Sequence, residues 1–451
     1  MQNTIVALAT PLGRSGIGVI RLSGDSAIKI VGELTCNENF NPKPRFSTLQ
    51  KIYDLETDEV LDEAIITYFK APQSFTGEDV IEISCHGSPV ILRQIIDFCL
   101  KFDARMAEAG EFSLRALANG RINLSQAEAI RDLIDAQTAA AARQSIRQMR
   151  GELSNQLQPL KDELLDVIVV LESSLEFVED DLPDLQSETI KNKLQTIAEK
   201  IGKMASTFQA GKFLREGLKV ALVGRPNVGK SSVFNALLGT DRAIVTEIAG
   251  TTRDQLHEKF TIDNIPISLI DTAGLRETSD TVESIGVERS KRAMADADLV
   301  VALLDGSENL TTEDREILSQ IEDLPHLTVI NKIDLVGNSV QNFDEIKSLI
   351  LRVSAKTGEG LDKLQKAIIE PFSSQAMGNT GFLVSDARHN DLLLRAKSET
   401  ENSIILLEQK FSEEIVLIGL HNALRFLGQI TGETSTEDML TRIFSTFCIG
   451  K

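Results

Sequence analysis

The sequence predicts a multidomain fold: an α+β N-terminal domain, a discontinuous all-α helical domain, and an α/β domain inserted into it. Three observations predict it. Strand-like apolar runs mixed with short helical patterns fill residues 1–118. Apolar residues recur at three- and four-residue steps on both sides of the chain's middle. Between those flanks, short apolar runs alternate with loops that carry Gly, Thr, Asp and Asn. That is how strand ends look in a doubly wound sheet.

In chain order, residues 4–8, 17–22, 63–69 and 79–84 read as strands, and residues 27–31 and 90–100 as helices. Phe75-Thr-Gly-Glu-Asp79 and Cys85-His-Gly-Ser88 are expected at turns. His86 beside Gly87 is a candidate for a structural or a catalytic role. Leu157, Leu160, Leu164, Ile168, Leu171 and Leu175 line one face of a long helix. Ile190, Leu194, Ile197, Ile201 and Met204 do the same, and the pattern returns at 392–407 and 415–427. Seams are expected at 211–217 and 371–381. One helical domain (119–216 and 376–451) then encloses a domain at 217–375. Domains tolerate insertion because their termini often lie close together.

The inserted segment carries five motifs in order. The run 219–223 reads as a buried parallel strand, followed by Gly224-Arg-Pro-Asn-Val-Gly-Lys-Ser231 and a helical pattern. This strand–loop–helix context is what a phosphate-binding P-loop requires. Asn227, Val228, Gly229, Lys230, Ser231 and Ser232 are its expected nucleotide contacts. Lys230 reaches the β- and γ-phosphates, and Ser231 ligates Mg²⁺. Gly250-Thr-Thr252 supplies a second metal ligand, Thr252 in preference to Thr251. Asp271-Thr272-Ala273-Gly274 ends the strand 267–270, with Asp271 holding Mg²⁺ through water. Asn331-Lys332-Ile-Asp334 follows the strand 327–330, and the Asp334 carboxylate can accept both N–H donors of a guanine edge. Ser354-Ala355-Lys356 follows the strand 350–353 and backs the base. A lone P-loop would leave ATPases open; five ordered motifs at strand ends specify GTP. The residue after Asp-x-x-Gly is Leu275, where Ras-like switches place a water-orienting glutamine. Hydrolysis therefore needs help from elsewhere.

Composition bounds the rest. The 451 residues allow two to four domains. The sequence shows neither an 18-residue apolar run nor a charged-then-apolar N-terminal stretch, so neither membrane span nor secretion is expected. Cys36, Cys85, Cys99 and Cys448 lack Cys-x-x-Cys spacing, and reduced thiols in the cytoplasm are expected. A formal charge of −20 disfavours coating nucleic acid by bulk electrostatics, though a local basic patch stays open. Acid concentrates in 172–188, as a solvated helix end or a docking site for a basic partner. Cys448 in Phe447-Cys-Ile-Gly-Lys451 stands where a prenylation box would place it, but Gly450 and Lys451 fit that box poorly. It is also a candidate nucleophile, with no base beside it in sequence.

The whole chain resembles the MnmE (TrmE) family of tRNA-modification GTPases. Shared motifs are Thr4-Ile-Val-Ala, Arg14 with Gly16-Ile-Gly-Val-Ile-Arg21, Ser74-Phe-Thr-Gly-Glu-Asp79, Gly110-Glu-Phe-Ser113, Gln126-Ala-Glu-Ala-Ile130, the five motifs above and Cys448-Ile-Gly-Lys451. The resemblance implies an N-terminal folate-binding and dimerising domain and a Ras-like G domain. It implies a flavin-dependent partner of the MnmG/GidA type, in a heterotetramer or larger complex. Together they modify C5 of the wobble uridine of certain tRNAs with a one-carbon unit from 5-formyl- or methylene-tetrahydrofolate. Arg21, Glu82, Arg121 and Lys451 fall at folate-site positions; Arg121 is commonly Lys in the family, and a guanidinium fork is not an ammonium. The resemblance makes Cys448 a possible catalytic thiol. It also answers Leu275: Asn227 matches a K⁺-ligating asparagine, Thr246, Ile248 and Thr251 match the other K⁺ ligands, and Glu247, Ala249 and Gly250 complete that nucleotide loop. Glu283 matches a water-orienting glutamate that acts when two G domains meet. The rival class is a GTP-dependent ribosome-assembly or signalling switch without modification chemistry; such factors lack the folate-like domain and Cys448. A membrane-acting GTPase would carry a basic amphipathic helix or lipid motif, and neither is present.

Overall fold

The structure, a computed structural model, describes residues 3–176, 184–240, 257–262, 265–271, 294, 296–335, 343, 346, 349–377, 381–433 and 437–450. They fall into two compact units. Met1–Ile134, Gln148–Phe177 and Glu413–Lys451 form the first; Asp135–Arg147 and Val178–Ser412 form the second.

The first unit is built on a six-stranded sheet in the order β3-β4-β5-β2-β1-β6. Its strands are β1 (Thr4–Leu8), β2 (Ser15–Ser23), β3 (Ser47–Tyr53), β4 (Val60–Phe69), β5 (Val80–Gly87) and β6 (Ala104–Met106). Only β1 and β6 pair in parallel; the other pairs are antiparallel. Alternation puts Ile20, Leu22, Ile66, Ile81 and Ile83 on one face. There they form a core with α1 (Ala27–Leu34) and α2 (Pro89–Lys101). On the other face, Ile5, Ala7 and Ala107 pack with Phe112 of α3 (Glu111–Ala118). Further along that face, the cross-strand neighbours Leu49 and Ile65 are 65% and 47% exposed.

Helices α4 (Leu124–Asp135), α6 (Glu152–Glu176), α13 (Glu413–Thr431) and α14 (Glu437–Phe444) also belong to this unit, with α5 (Ala139–Met149) lying largely in the second. α6 and α13 run antiparallel, since Lys161 pairs with Glu433 at one end and Glu172 with His421 at the other. α6 tolerates Pro159 in its interior because Leu153, Leu157, Leu160, Leu164 and Leu171 bury one face of it.

The second unit holds a six-stranded sheet in the order β12-β11-β10-β7-β9-β8. Its strands are β7 (Leu218–Val223), β8 (His257–Ile262), β9 (Ile265–Asp271), β10 (Leu299–Asp305), β11 (His326–Asn331) and β12 (Ile350–Arg352). All pairs are parallel except β8–β9. β10 is buried at every position, as a central parallel strand should be. Helices α8 (Phe208–Glu216), α9 (Lys230–Thr240), α10 (Thr312–Gln320) and α11 (Leu361–Met377) belong to this unit. In it α7 (Asp184–Ala205) also packs on α12 (Ala387–Glu408), with Lys191 reaching Glu408.

The fold class agrees with expectation, and several details do not. Residues 211–216 finish helix α8 instead of forming a seam; a Cβ on Gly211 would lie 2.2 Å from the Val384 carbonyl, so that glycine serves close packing. α11 continues through Pro371, anchored upstream by Leu364 and Ile368 in the core. Cys85, His86 and Gly87 extend β5 instead of turning, because Cys85 is in register with Gly18 and buried.

Candidate functional site

Two charged centres stand out, one in each unit. The first lies at the carboxyl edge of the second unit's sheet. Parallel pairing brings the ends of β7, β10 and β11 to one side, and the phosphate loop 224–229 leaves β7 there. Within it Asn227 (φ +64°) and Gly229 (φ +94°) are left-handed. Gly229 cannot be replaced cheaply: a Cβ would sit 2.3 Å from Asn331 Nδ2. Such a run of turns aims successive N–H groups at one point and suits an anion.

The base-side motif holds this loop from behind. Asn331 Nδ2 donates to the Val228 carbonyl at 2.9 Å, and Asn331 Oδ1 accepts the Ala355 N–H at 3.1 Å. Lys332 Nζ donates to the Asn227 carbonyl at 2.7 Å and to Asp305 Oδ2 at 2.6 Å. Burial alone would raise the Asp305 carboxyl, but the Lys332 and Ser307 hydrogen bonds outweigh it and hold it below the usual carboxylate range. Ser354 Oγ donates to Asp334 Oδ1 at 2.6 Å, which orients that carboxylate. Lys230 Nζ donates to the Gly224 and Arg225 carbonyls at 2.6 and 2.9 Å, and Ser231 and Ser232 open α9 beside it. The backbone turns, Lys230 and the Ser231 hydroxyl form a donor set that fits a nucleotide triphosphate with Mg²⁺.

The second centre joins β2, β5 and the C-terminal tail. Arg21 and Glu82 are register partners. Arg21 Nε and a terminal N–H both donate to Glu82 Oε1, at 2.9 and 2.7 Å, and the other terminal nitrogen donates to the Gly450 carbonyl at 3.2 Å. The guanidinium lies 5.7 Å from the centre of the Phe112 ring. The tail is held by an Ala109–Ile449 bridge and by the Gly110 N–H reaching the Cys448 carbonyl at 3.4 Å. Gly450 has φ +96°, and a Cβ there would lie 2.5 Å from the Leu8 carbonyl. Cys448 is exposed at this junction. Arg121 lies against Gly77 of the loop between β4 and β5, with its Cγ 3.2 Å from where a Cβ would be.

Beneath the tail runs a buried ionic network. Arg115, 1% exposed, donates to Glu78 at 2.8 Å, to Glu111 at 2.9 Å and to the Asn3 carbonyl at 2.8 Å. Arg105 also donates to Glu111. Burial raises the Glu111 carboxyl, yet Arg105, the Glu108 N–H and Arg115 hold it below its ordinary value. His86 Nδ1 donates to buried Asp62 at 2.7 Å, while the ring is largely exposed. Burial pushes the Cys85 thiol to about 11 and the Cys99 thiol to about 12, so neither is a ready thiolate.

The structure brings together Asn227, Val228, Gly229, Asn331, Lys332 and Ala355, and separately Arg21, Glu82 and the backbone next to Cys448. Lys356 lies exposed in the turn after β12, and Asp271 closes β9. Thr246, Glu247, Ile248, Ala249, Gly250, Thr251, Thr252, Thr272, Ala273, Gly274, Leu275, Glu283 and Lys451 lie outside the described residues. Sequence reasoning missed Asp305 and Arg225. The signal for Asp305 was its place as the last residue of an all-apolar run, where a carboxylate is out of pattern.

Two family models match: "MnmE helical domain" over residues 124–448 and "GTP-binding protein TrmE N-terminus" over residues 4–121. Full-length relatives include proteins described as tRNA modification GTPase MnmE. The one from Aquifex aeolicus is 43% identical, that from Koribacter versatilis 42% and that from Clostridioides difficile 40%, each match covering 100% of both chains.

Proposed function

We propose, for a chain that belongs to the MnmE family of tRNA modification GTPases, that GTP turnover at the phosphate loop drives wobble-uridine modification centred on the Arg21–Glu82 site. The chain is a GTP hydrolase of tRNA modification. The observation that carries the nucleotide reading is the hydrogen-bonded junction of three separate motifs, in which Asn331 and Lys332 hold the carbonyls of Val228 and Asn227 and Asn331 accepts the Ala355 N–H. Binding a guanine through Asp334 thereby fixes the loop that holds the phosphates.

The finer reading is that hydrolysis is activated by K⁺. Asn227 sits left-handed in the loop, two residues before Gly229, whose φ of +94° would strain any other residue. With Thr246, Ile248 and Thr251 it would hold the ion, and K⁺ would supply there the positive charge that an arginine finger supplies elsewhere. Ser231 and Thr252 would hold Mg²⁺, and Glu283 would orient water once two G domains meet.

At the second centre, Arg21 and Glu82 offer a fork and a carboxylate that fit the donor and acceptor edges of a reduced folate, with Arg121 and Lys451 as further contacts and Cys448 exposed alongside. The exposed apolar pair Leu49–Ile65 on the same sheet supports a homodimer through this domain. A flavin-dependent MnmG/GidA-type partner and tRNA complete the cytoplasmic complex. The boundaries 1–118, 119–216 with 376–451, and 217–375 belong to the same proposal; family matches that meet between residues 121 and 124 support the first of them. Among the described residues no helix is long and apolar enough to cross a membrane. The test is steady-state GTP hydrolysis in KCl against NaCl at equal ionic strength. We expect at least about tenfold faster turnover in KCl; equal rates would remove the cation from the mechanism.

A further inference from the structure

We propose that Arg225 is a positioning residue for GTP hydrolysis, tying the outer end of the phosphate loop to the segment between β10 and α10. Gly224, Asn227 and Gly229 all have positive φ, so the loop follows neither helix nor strand backbone. Asn331 fixes Val228 and Lys332 fixes Asn227, but both grip the distal half of the loop. Lys230 holds the proximal carbonyls of Gly224 and Arg225 from the adjoining helix, and the Arg225 guanidinium, which is 17% exposed, ties that half to chain outside the loop and its helix. One terminal nitrogen donates to Glu308, and Nε lies 3.4 Å from Asp314 Oδ2.

Asp314 is built into its place. It is the capping-box partner of Thr311 at the start of α10, where its Oδ2 accepts the Thr311 N–H at 3.0 Å and hydroxyl at 2.8 Å. Its Oδ1 is buried with no hydrogen-bond partner among the described residues. A carboxylate only 3% exposed needs a neighbouring cation, and Arg225 supplies one. The same segment begins at Asp305, the second partner of Lys332. Residues 305–314 thus hold the loop at two places, directly at Arg225 through Glu308 and Asp314, and indirectly at Asn227 through Asp305 and Lys332. Loop N–H groups stabilise charge that develops during phosphoryl transfer. A small displacement of the loop therefore weakens the transition state more than the bound substrate, whose base and phosphates keep Asp334 and Lys230.

This proposal needs only GTP turnover, not the potassium or folate readings. The test uses the full chain, comparing GTP hydrolysis and thermal unfolding of Arg225→Ala with Arg225→Ala/Asp314→Asn. The single variant should lose about tenfold in kcat with KM changed less than about threefold, and its Tm should fall because Asp314 is left buried without its cation. In the double variant the amide keeps the capping acceptor and removes the buried charge, so Tm should recover while kcat stays about tenfold low. A wild-type kcat in the single variant, a loss confined to KM, or kcat recovering together with Tm would overturn it. Should the single variant fail to fold, the double variant alone decides between the outcomes.

Discussion

The two charged centres solve the same problem, fixing a cation beside an acceptor, over different lengths of chain. In the nucleotide centre the described motifs, 224–231, 331–334 and 354–356, come in clusters of three to eight residues, each at or just after the end of a parallel strand. The sheet only has to bring the strand ends together. In the N-terminal centre Arg21 meets Glu82 across an antiparallel pair and meets Gly450 from the far end of the chain. Its support is a nearly sealed network around Arg115 and Glu111. The first centre is held by side chains that reach across to a loop, whereas the second rests partly exposed on a buried ionic network.

Three perturbations would break or sharpen that contrast. The largest effect belongs to the sealed network. Arg115→Leu leaves Glu111 buried with one partner fewer, and breaking a buried pair this way costs about 3–5 kcal/mol. Amide hydrogen exchange across β1 and α3 should report that loss as weaker protection; a change below about 1 kcal/mol would mean the network is solvated, as surface pairs are. Next comes the nucleotide centre. Asp334→Asn exchanges a charged acceptor for a group that is half donor, at about 1.5–3 kcal/mol. Fluorescence titration with a GTP analogue should show binding weakened by about 10- to 100-fold, with little change in Tm because Asp334 is partly exposed and Ser354 keeps an acceptor. Unchanged affinity would take guanine recognition away from Asp334. The smallest effect is at Arg21. Arg21→Ala should weaken reduced-folate binding about tenfold by calorimetry, one charge-assisted contact's worth. If affinity holds, the Arg21–Glu82 pair serves only to fasten the tail.

The same contrast explains what the sequence disclosed. The phosphate loop, Asn331–Asp334 and Ser354–Lys356 were legible because their chemistry is contiguous and flanked by apolar strands. The helices α3 and α4 were not, because they bury polar residues: Glu111, Ser113 and Arg115 in one, Ser125, Glu128 and Asp132 in the other. No apolar period survives such a pattern. β3 was hidden for the opposite reason, since apolar Leu49 points outward and Lys51 shares its face. β6, at three residues, is too short for any periodic signal. Arg21 and Glu82 entered only through family resemblance, because nothing in a linear string pairs residues on different strands. Arg225 carries no signal of its own within a motif read for its glycines and lysine.

The Gly450 carbonyl on Arg21 closes a contact between residues 429 apart. At ribosomal elongation of 5–20 residues per second, roughly 20–90 seconds separate the synthesis of those two residues. The β2–β5 pair can form early, but its tail cannot arrive until the nucleotide domain has already been made. The GTP-binding half of the molecule can therefore be competent while the N-terminal centre still awaits its last backbone acceptor.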